Sequence, residues 1–271
     1  MQELIDRALA EDVGAGDVTT DALVPADARA RARIVQKAPG VVAGLRVAEA
    51  VFRRVDPELR WHGHAPVGEW REEGLVAEVA GSTASILRGE RVALNFLGRL
   101  SGIATLTARF VRAVDGTGVR VLDTRKTTPG LRALEKQAVK EGGGGNHRFG
   151  LFDALLVKEN HIAAAGGVRV AAERALAASD GLLVEVECES LDQVDDALAA
   201  GVKRLLLDNF SNEELAAAVA KVGGRVELEA SGNVTLETVR AIAETGVDYI
   251  SIGALTHSAP ALDVSLQLEP L

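Results

Sequence analysis

Arg125, Lys126, Arg148 and Lys158 all fall within the stretch Asp123–His161, where seven Lys and Arg residues outnumber the carboxylates. The whole chain, by contrast, carries a net charge of −9. A cationic island in an anionic protein raises the local concentration of small polyanions. Arg125 and Arg148 offer planar forks and Lys126 and Lys158 point charges. His147 and His161 add imidazoles, and Gly142–Gly145 supply backbone without side chains. Together they suit a site for multiply charged carboxylates and phosphates.

The first cationic pair lies in Asp123-Thr124-Arg125-Lys126-Thr127-Thr128-Pro129-Gly130. Adjacent cations on a turn point in different directions and can grip two parts of one ligand, or two ligands; alone, such a pair reads as a solvated loop. A four-glycine run is either a flexible linker or a loop whose backbone must approach something closely. The His147-Arg148 pair that follows at once favours the second. Glu187 and Asp208 each close a short apolar run, and two neighbouring carboxylates can hold hydroxyls or a hard cation, or pair with Lys158 and Arg125. Ala230-Ser231-Gly232-Asn233 and Ile252-Gly253-Ala254-Leu255 each place a small turn before a helical segment, the pattern of a backbone phosphate cup. His62 and His64 have no third ligand nearby in the sequence and read as surface residues. Cys188, the only cysteine, can form neither an internal disulfide nor a multi-cysteine metal site, and reads as a small core residue.

Chemistry of this kind needs a scaffold that brings distant residues to one mouth. From about Val119 the chain alternates short apolar runs with helical patterns. The runs are Val119–Leu122, Ala154–Val157, Leu183–Val186, Leu205–Leu207, Val226–Glu229 and Tyr249–Ile252, read here as strands covered on both faces. Capping-box patterns at Ser190/Gln193 and Ser211/Glu214, and Thr235 as a further N-cap, predict the intervening helices. Gly201, Gly223 and Gly246 stand where they should end. Regular β–α alternation means a parallel α/β fold. A barrel is favoured over an open sheet because Asp123, Lys158, Glu187, Asp208 and Ser231 then share one mouth. Six clear runs predict an incomplete barrel of six or seven strands over residues 106–260, with the active site at the strand C-terminal ends.

Residues 1–105 differ. Val41–Gly44, Leu75–Ala80 and Ala84–Leu87 read as short strand-like or turn-bounded pieces of a separate α+β domain. The tail from about 260 to 271 is assigned to return to it. A long helix is predicted from Arg88–Glu90 onward, joining the domains, with Gly98 and Gly102 on one side open to a close neighbour.

The 271 residues allow one large or two modest domains, and 47 % hydrophobic residues supply a core. Aromatics at 3 % and the net negative charge argue against nucleic-acid and membrane-surface binding. The first residues show no signal-peptide pattern, and no stretch is apolar enough to span a membrane, so a soluble cytoplasmic protein is expected.

Several segments resemble one family closely. They are EDVGAGDVTT, Glu90–Thr105, DTRKTTPGLRALEKQAV, GGGGNHRFGLFDALLVKENH, VEVE, LLLDN, LEASGN and GVDYISIGALTHS. The chain is similar along nearly its whole length to quinolinate phosphoribosyltransferase, the carboxylating nicotinate-nucleotide pyrophosphorylase of NAD biosynthesis. The resemblance implies that quinolinate and phosphoribosyl pyrophosphate are converted to nicotinate mononucleotide, pyrophosphate and CO2 with Mg2+. It implies a two-domain subunit, an N-terminal α/β sandwich over residues 1–105 and an incomplete α/β barrel, in a homodimer in which the N-terminal domain of one subunit closes the barrel mouth of the other. For quinolinate it implies Thr124, Arg125, His147, Arg148 and Lys158, with Arg91 reaching across from the partner. For phosphoribosyl pyrophosphate it implies Lys126, Glu187 and Asp208, with Ser231, Gly232, Asn233, Ile252, Gly253, Ala254 and His257 around the 5′-phosphate. Lys126, Lys158, Glu187 and Asp208 are the implied catalytic residues, and Glu187 and Asp208 the direct or indirect Mg2+ holders. Two other readings are a phosphoribosyltransferase-like relative with another acceptor, expected to have altered cations, and a non-catalytic sensor, which has no use for the Glu187/Asp208 pair.

Overall fold

The computed structural model describes residues 1–271. The chain forms two compact units. The first contains Met1–Ala108, Thr128–Gly143 and Ser258–Leu271; the second contains Arg109–Thr127 and Gly144–His257. The strands of the first unit are β1 (Arg29–Gln36), β2 (Gly40–Val41), β3 (Arg60–Gly63), β4 (Trp70–Arg71) and β5 (Gly74–Ser82). Those of the second are β6 (Arg120–Leu122), β7 (Leu155–Val157), β8 (Val184–Cys188), β9 (Arg204–Asp208), β10 (Glu227–Ser231) and β11 (Tyr249–Ser251). The chain then returns to the first unit as β12 (Val264–Pro270).

In the first unit β12, β1, β5 and β3 form one sheet in that order, and β2 pairs with β4. β1 is written RARARIVQ, with Ala30, Ala32 and Ile34 fully buried between more exposed neighbours. That alternation is a half-buried strand, hidden in the sequence by the smallness of alanine. The segment Ala84–Leu87, expected as a strand-like piece, is instead the start of the helix Thr83–Ala113. Thr83, Ile86, Gly89, Ala93 and Leu97 are buried along it, a spacing of three to four rather than two. Gly98 and Gly102 do admit a close neighbour: a Cβ on Gly102 would stand 2.0 Å from the Pro260 carbonyl oxygen. The helix Arg132–Glu141, placed with the barrel by the division at 105/106, groups with the first unit. Its buried Glu135 pairs with Arg99 at 2.9 Å, and Gly142 lies against Ala104 where no side chain fits.

The second unit is a parallel sheet in the order β6-β11-β10-β9-β8-β7. The first strand pairs with the last, as in a barrel, but β6 and β7 remain unpaired with each other, so six strands make an incomplete one. At that seam Gly145 forms a parallel bridge to Leu122. A Cβ on Gly145 would lie 2.7 Å from a Leu122 methyl, which is why the glycine run ends there.

The expected strand runs are all present, but their faces differ from the reading of continuous apolar strands. Val184, Val186, Cys188, Leu205, Leu207, Leu228, Ala230 and Ile250 form one buried apolar face. The alternate residues are Glu185 and Glu187, then Arg204, Leu206 and Asp208. They continue with Glu227, Glu229 and Ser231, then Tyr249 and Ser251. Period two puts these on the opposite, mostly polar face. Cys188 is fully buried, and burial pushes its thiol up to about 12, so it is an inert core residue.

Helix ends follow local chemistry. Ser211 and Glu214 form a full capping box for Asn212–Val222. Ser190 accepts from the Gln193 N–H, but the Gln193 side chain accepts from Glu189 rather than closing the box. Thr235, expected as an N-cap, instead gives its N–H to the Thr238 hydroxyl, and the helix Val239–Ala243 starts after Thr238. Gly201 and Gly223 end their helices in the left-handed conformation.

Candidate active site at the C-terminal ends of the parallel strands

A cavity of about 420 Å³ opens where the parallel strands end. Its walls include Thr124, Arg125, Lys126, His147, Arg148 and Lys158, with Glu187, Asp208 and Ser231. A second cavity of about 310 Å³ shares Thr124, Lys126, Ser231 and Ser251 with it, and adds Gly232, Asn233, Ile252, Gly253, Ala254 and His257. Every expected site residue of the second unit therefore lines one of two adjoining cavities. Arg91 belongs to the first unit, where it is exposed on the helix Thr83–Ala113.

The loops that carry these side chains are tied down by backbone bonds. The Lys126 N–H donates to the Thr124 hydroxyl at 3.0 Å, and the Thr256 hydroxyl donates to the Lys126 carbonyl at 2.7 Å. A Cβ on Gly253 would stand 3.0 Å from Cδ of Lys126, so a glycine there leaves room for the lysine stem. Gly232 has φ +106, and a Cβ there would collide with the Asn209 side-chain oxygen at 2.2 Å. The strand-end turns of β9 and β10 thus interlock, and Asn209 shapes the turn as much as Gly232 does. Asp123, expected at the mouth, is fully buried instead; it accepts from the His147 N–H at 2.9 Å and the Asn146 amide at 2.5 Å. It anchors the glycine loop rather than meeting a ligand. His161 caps the helix Glu159–Ala165, its Nδ1 accepting from the Lys158 N–H at 3.0 Å.

Charges in the cavity are unevenly matched. Lys158 Nζ stands 2.8 Å from a Glu187 oxygen. Asp208 accepts from the Asn209 amide at 2.6 Å. Arg148 donates from Nη1 to the Ala154 carbonyl at 3.1 Å. Burial, and then the neighbouring Arg125 charge, hold the Arg148 guanidinium below its ordinary pKa. Two guanidiniums beside one another in a partly desolvated wall form a receptor for more than one negative charge.

Beneath them lies a group that sequence reasoning missed. His147 Nε2 is 2.9 Å from a Glu185 oxygen and 3.6 Å from a Glu229 oxygen, and both carboxylates are almost wholly buried. Burial first, and then the Glu185 charge, push the Glu229 carboxyl up to about 7; His147, Ser251 and Arg204 offset this in part. The signal was the alternation Val-Glu-Val-Glu and Glu-Leu-Glu within β8 and β10, read as strand ends only. Two sets of oxygen donors stand near the cavity. Glu187 and Asp208 are at its wall, and Glu229, at its floor, converges with Glu185 and His147.

The arrangement matches a known family. The profile described as quinolinate phosphoribosyl transferase, C-terminal domain, matches residues 103–267, and its N-terminal counterpart residues 17–101. The chain is 40 % identical to a protein of Bacillus subtilis (strain 168) named as a probable nicotinate-nucleotide pyrophosphorylase (carboxylating), over 99 % of this chain and 93 % of that protein. It is 44 % identical to quinolinate phosphoribosyltransferase (decarboxylating) 2, mitochondrial, of Nicotiana glauca, over 99 % of this chain and 82 % of that one. A crystal structure of NadC from Streptococcus pyogenes is 44 % identical, with a TM-score of 0.96, covering all of this chain and 96 % of the other.

Proposed function

This chain belongs to the quinolinate phosphoribosyltransferase family, and we propose that the two adjoining cavities are where it joins quinolinate to phosphoribosyl pyrophosphate. The enzyme makes nicotinate mononucleotide for NAD biosynthesis, releasing pyrophosphate and CO2. One observation carries the assignment of residues: Arg125, Arg148 and Lys158 meet Glu187 and Asp208 in a single cavity that adjoins a glycine-rich turn.

Quinolinate brings two carboxylates, and Arg125, Arg148 and Lys158 offer the cations to match them. Thr124 and His147 complete that wall. Ser231–Asn233 and Ile252–Ala254 offer small side chains and backbone N–H groups to the 5′-phosphate, with His257 beside them. Lys126, shared by both cavities, offsets negative charge as pyrophosphate leaves. Glu187 and Asp208 hold the ribose hydroxyls and stabilise the oxocarbenium-like carbon that the pyridine nitrogen attacks. Once that nitrogen is quaternised, the adjacent 2-carboxylate can leave as CO2, because the ring stabilises the electron pair left behind. No covalent nucleophile is required.

Glu187 and Asp208 are hard oxygen donors, and two carboxylates completed by substrate phosphates and water form the donor set that Mg2+ prefers. One Glu187 oxygen is shared with Lys158, which leaves the fit through the remaining oxygen and Asp208. Bound there with the substrate, Mg2+ supplies charge neutralisation for pyrophosphate.

A homodimer is part of the proposal, with Arg91 completing the partner's quinolinate site. Its support is the exposure of Arg91 and the composition of the cavities, which draw only on the second unit. Mixing an Arg91→Ala variant with an Arg148→Ala variant tests it: random reassociation should restore about a quarter of parent activity, and none returns if each subunit is self-sufficient. The function itself is tested by CO2 release from quinolinate with phosphoribosyl pyrophosphate and Mg2+, nicotinate serving as the control acceptor. Release with quinolinate alone is expected; turnover of nicotinate in its place would move the chain to a sister activity. No helix is long and apolar enough to cross a membrane.

A further inference from the structure

Two buried carboxylates, Glu229 at the floor of the cavity and Glu185 beside it, have no part in the scheme above. We infer that Glu185 and Glu229 are positioning residues for quinolinate, acting through His147 to hold Arg148 in register with the dicarboxylate. The inference rests on the reading of this cavity as the quinolinate site.

His147 is engaged at both ring nitrogens. Nδ1 accepts the Arg148 backbone N–H at 2.8 Å, so it carries no proton. The ring proton therefore sits on Nε2, which donates to Glu185 at 2.9 Å. The His147 backbone N–H is also used, on Asp123. No ring N–H remains for a substrate carboxylate, and what His147 offers the cavity is the placing of its neighbour. With its backbone N–H fixed to the ring and Nη1 fixed to the Ala154 carbonyl, Arg148 is held at both ends. Rotating the ring releases the first of these.

Glu185 holds the ring directly, and Glu229 stands behind it, 3.6 Å from Nε2. Glu229 is 0 % exposed. A ring turned to present a lone pair here would lose the N–H···O bond to Glu185. Arg148 lies on the cavity side of this group. Arg204 of β9 and the Ser251 hydroxyl of β11 face it from within the sheet, so it is flanked but not neutralised. The same three residues have the donor types of a metal site. The 2.9 Å nitrogen-to-oxygen separation, however, is that of an N–H···O bond.

The test compares Glu185→Leu, which removes the acceptor, with Glu185→Gln, whose amide oxygen keeps it, and uses Arg148→Ala as a control on the cavity. Glu185→Leu should raise the quinolinate KM about tenfold or more, with the phosphoribosyl pyrophosphate KM within about twofold. Glu185→Gln should stay within about threefold of the parent for both. A folded Glu185→Leu variant with an unchanged quinolinate KM, or a Gln variant as damaged as the Leu one, overturns the inference. If Arg148→Ala also leaves quinolinate binding untouched, the reading of the cavity falls, and the inference with it. Should Glu185→Leu not fold, 15N-resolved NMR of His147 in the parent decides. A proton on Nε2 and none on Nδ1 is expected; an imidazolium, a proton on Nδ1, or an unprotonated Nε2 held by a metal refutes the positioning role.

Discussion

The two ends of the parallel sheet treat charge in opposite ways. Where the strands begin, Arg204 donates twice to one Glu227 oxygen, at 2.9 and 2.6 Å, and lies 4.3 Å over the Tyr249 ring. The Tyr249 hydroxyl donates to the other Glu227 oxygen at 2.9 Å. Where the strands finish, Arg148 is set beside Arg125, and Glu187 and Asp208 share one wall. A polar face runs along the same strands between them. The first end is complete without a ligand and contributes to stability. The second keeps two guanidiniums together beside the Lys158–Glu187 pair, a condition that the proposed dicarboxylate and pyrophosphate would relieve. The adjacent guanidiniums at the mouth are thus a binding potential held in place by the rest of the fold.

The comparison breaks most sharply at Arg148. Arg148→Ala should lower quinolinate kcat/KM by roughly a hundredfold to a thousandfold, the loss of a desolvated cation–carboxylate contact. The melting temperature should hold or rise, since a like-charge neighbour is removed; steady-state kinetics with thermal unfolding reads both. The mirror experiment at the other end is Arg204→Met, which keeps the stem but loses both hydrogen bonds. It should destabilise by about 2 kcal/mol in urea titration, with kcat/KM within about threefold of the parent. Comparable damage to activity from both variants would abolish the distinction between the ends.

Glu229 lies between them. Its folded pKa of about 7 is above the ordinary 4.5, so the fold favours the protonated form. Stability from this group is present below the ordinary value and is lost as pH rises through 7. Glu229→Gln should therefore stabilise by roughly 1–3 kcal/mol at pH 8 and by nothing at pH 5, measured as the difference in unfolding free energy across that range. The smallest effect is expected at Ser211. It follows the C-terminal end of β9, yet it serves only the helix Asn212–Val222. Ser211→Ala should cost about 1 kcal/mol and leave kcat/KM unchanged, showing that position near the mouth is not enough for a part in the chemistry.

What the sequence made legible was the mouth. Strand ends carry abrupt changes from apolar to polar, so Lys158, Glu187, Asp208 and Ser231 stood out, and the glycine turns marked the second cavity. Glu185 and Glu229 did not, because Glu185 is a single polar residue inside a run that reads as apolar and Glu229 closes the short run Val226–Glu229. Only the period of two distinguishes their face from that of Val186 or Leu228. β1 was obscured for a related reason: alternating Arg and Ala gives little hydrophobic contrast, although Ala30 and Ala32 are completely buried. Ala84–Leu87 was misread because Gly81 and Ser82 precede it like a turn, while the buried Thr83 and Ile86 belong to a helical stripe that only the following residues reveal. Asp123 shows the remaining limit. A carboxylate at a strand end looks the same in sequence whether it faces a ligand or fastens a loop from below.

The pairing of first strands with last ones has a consequence for how the chain comes to be folded. β6 finds its sheet partner in β11, after four other strands have been made, and β1 is flanked on its second side only by β12. Both sheets are closed by contacts distant in sequence, which are entropically expensive to form and slow to nucleate. During synthesis the outer edge of β1 stays without hydrogen-bond partners until Val264–Pro270 emerges. The earliest strand to be translated is among the last to be completed.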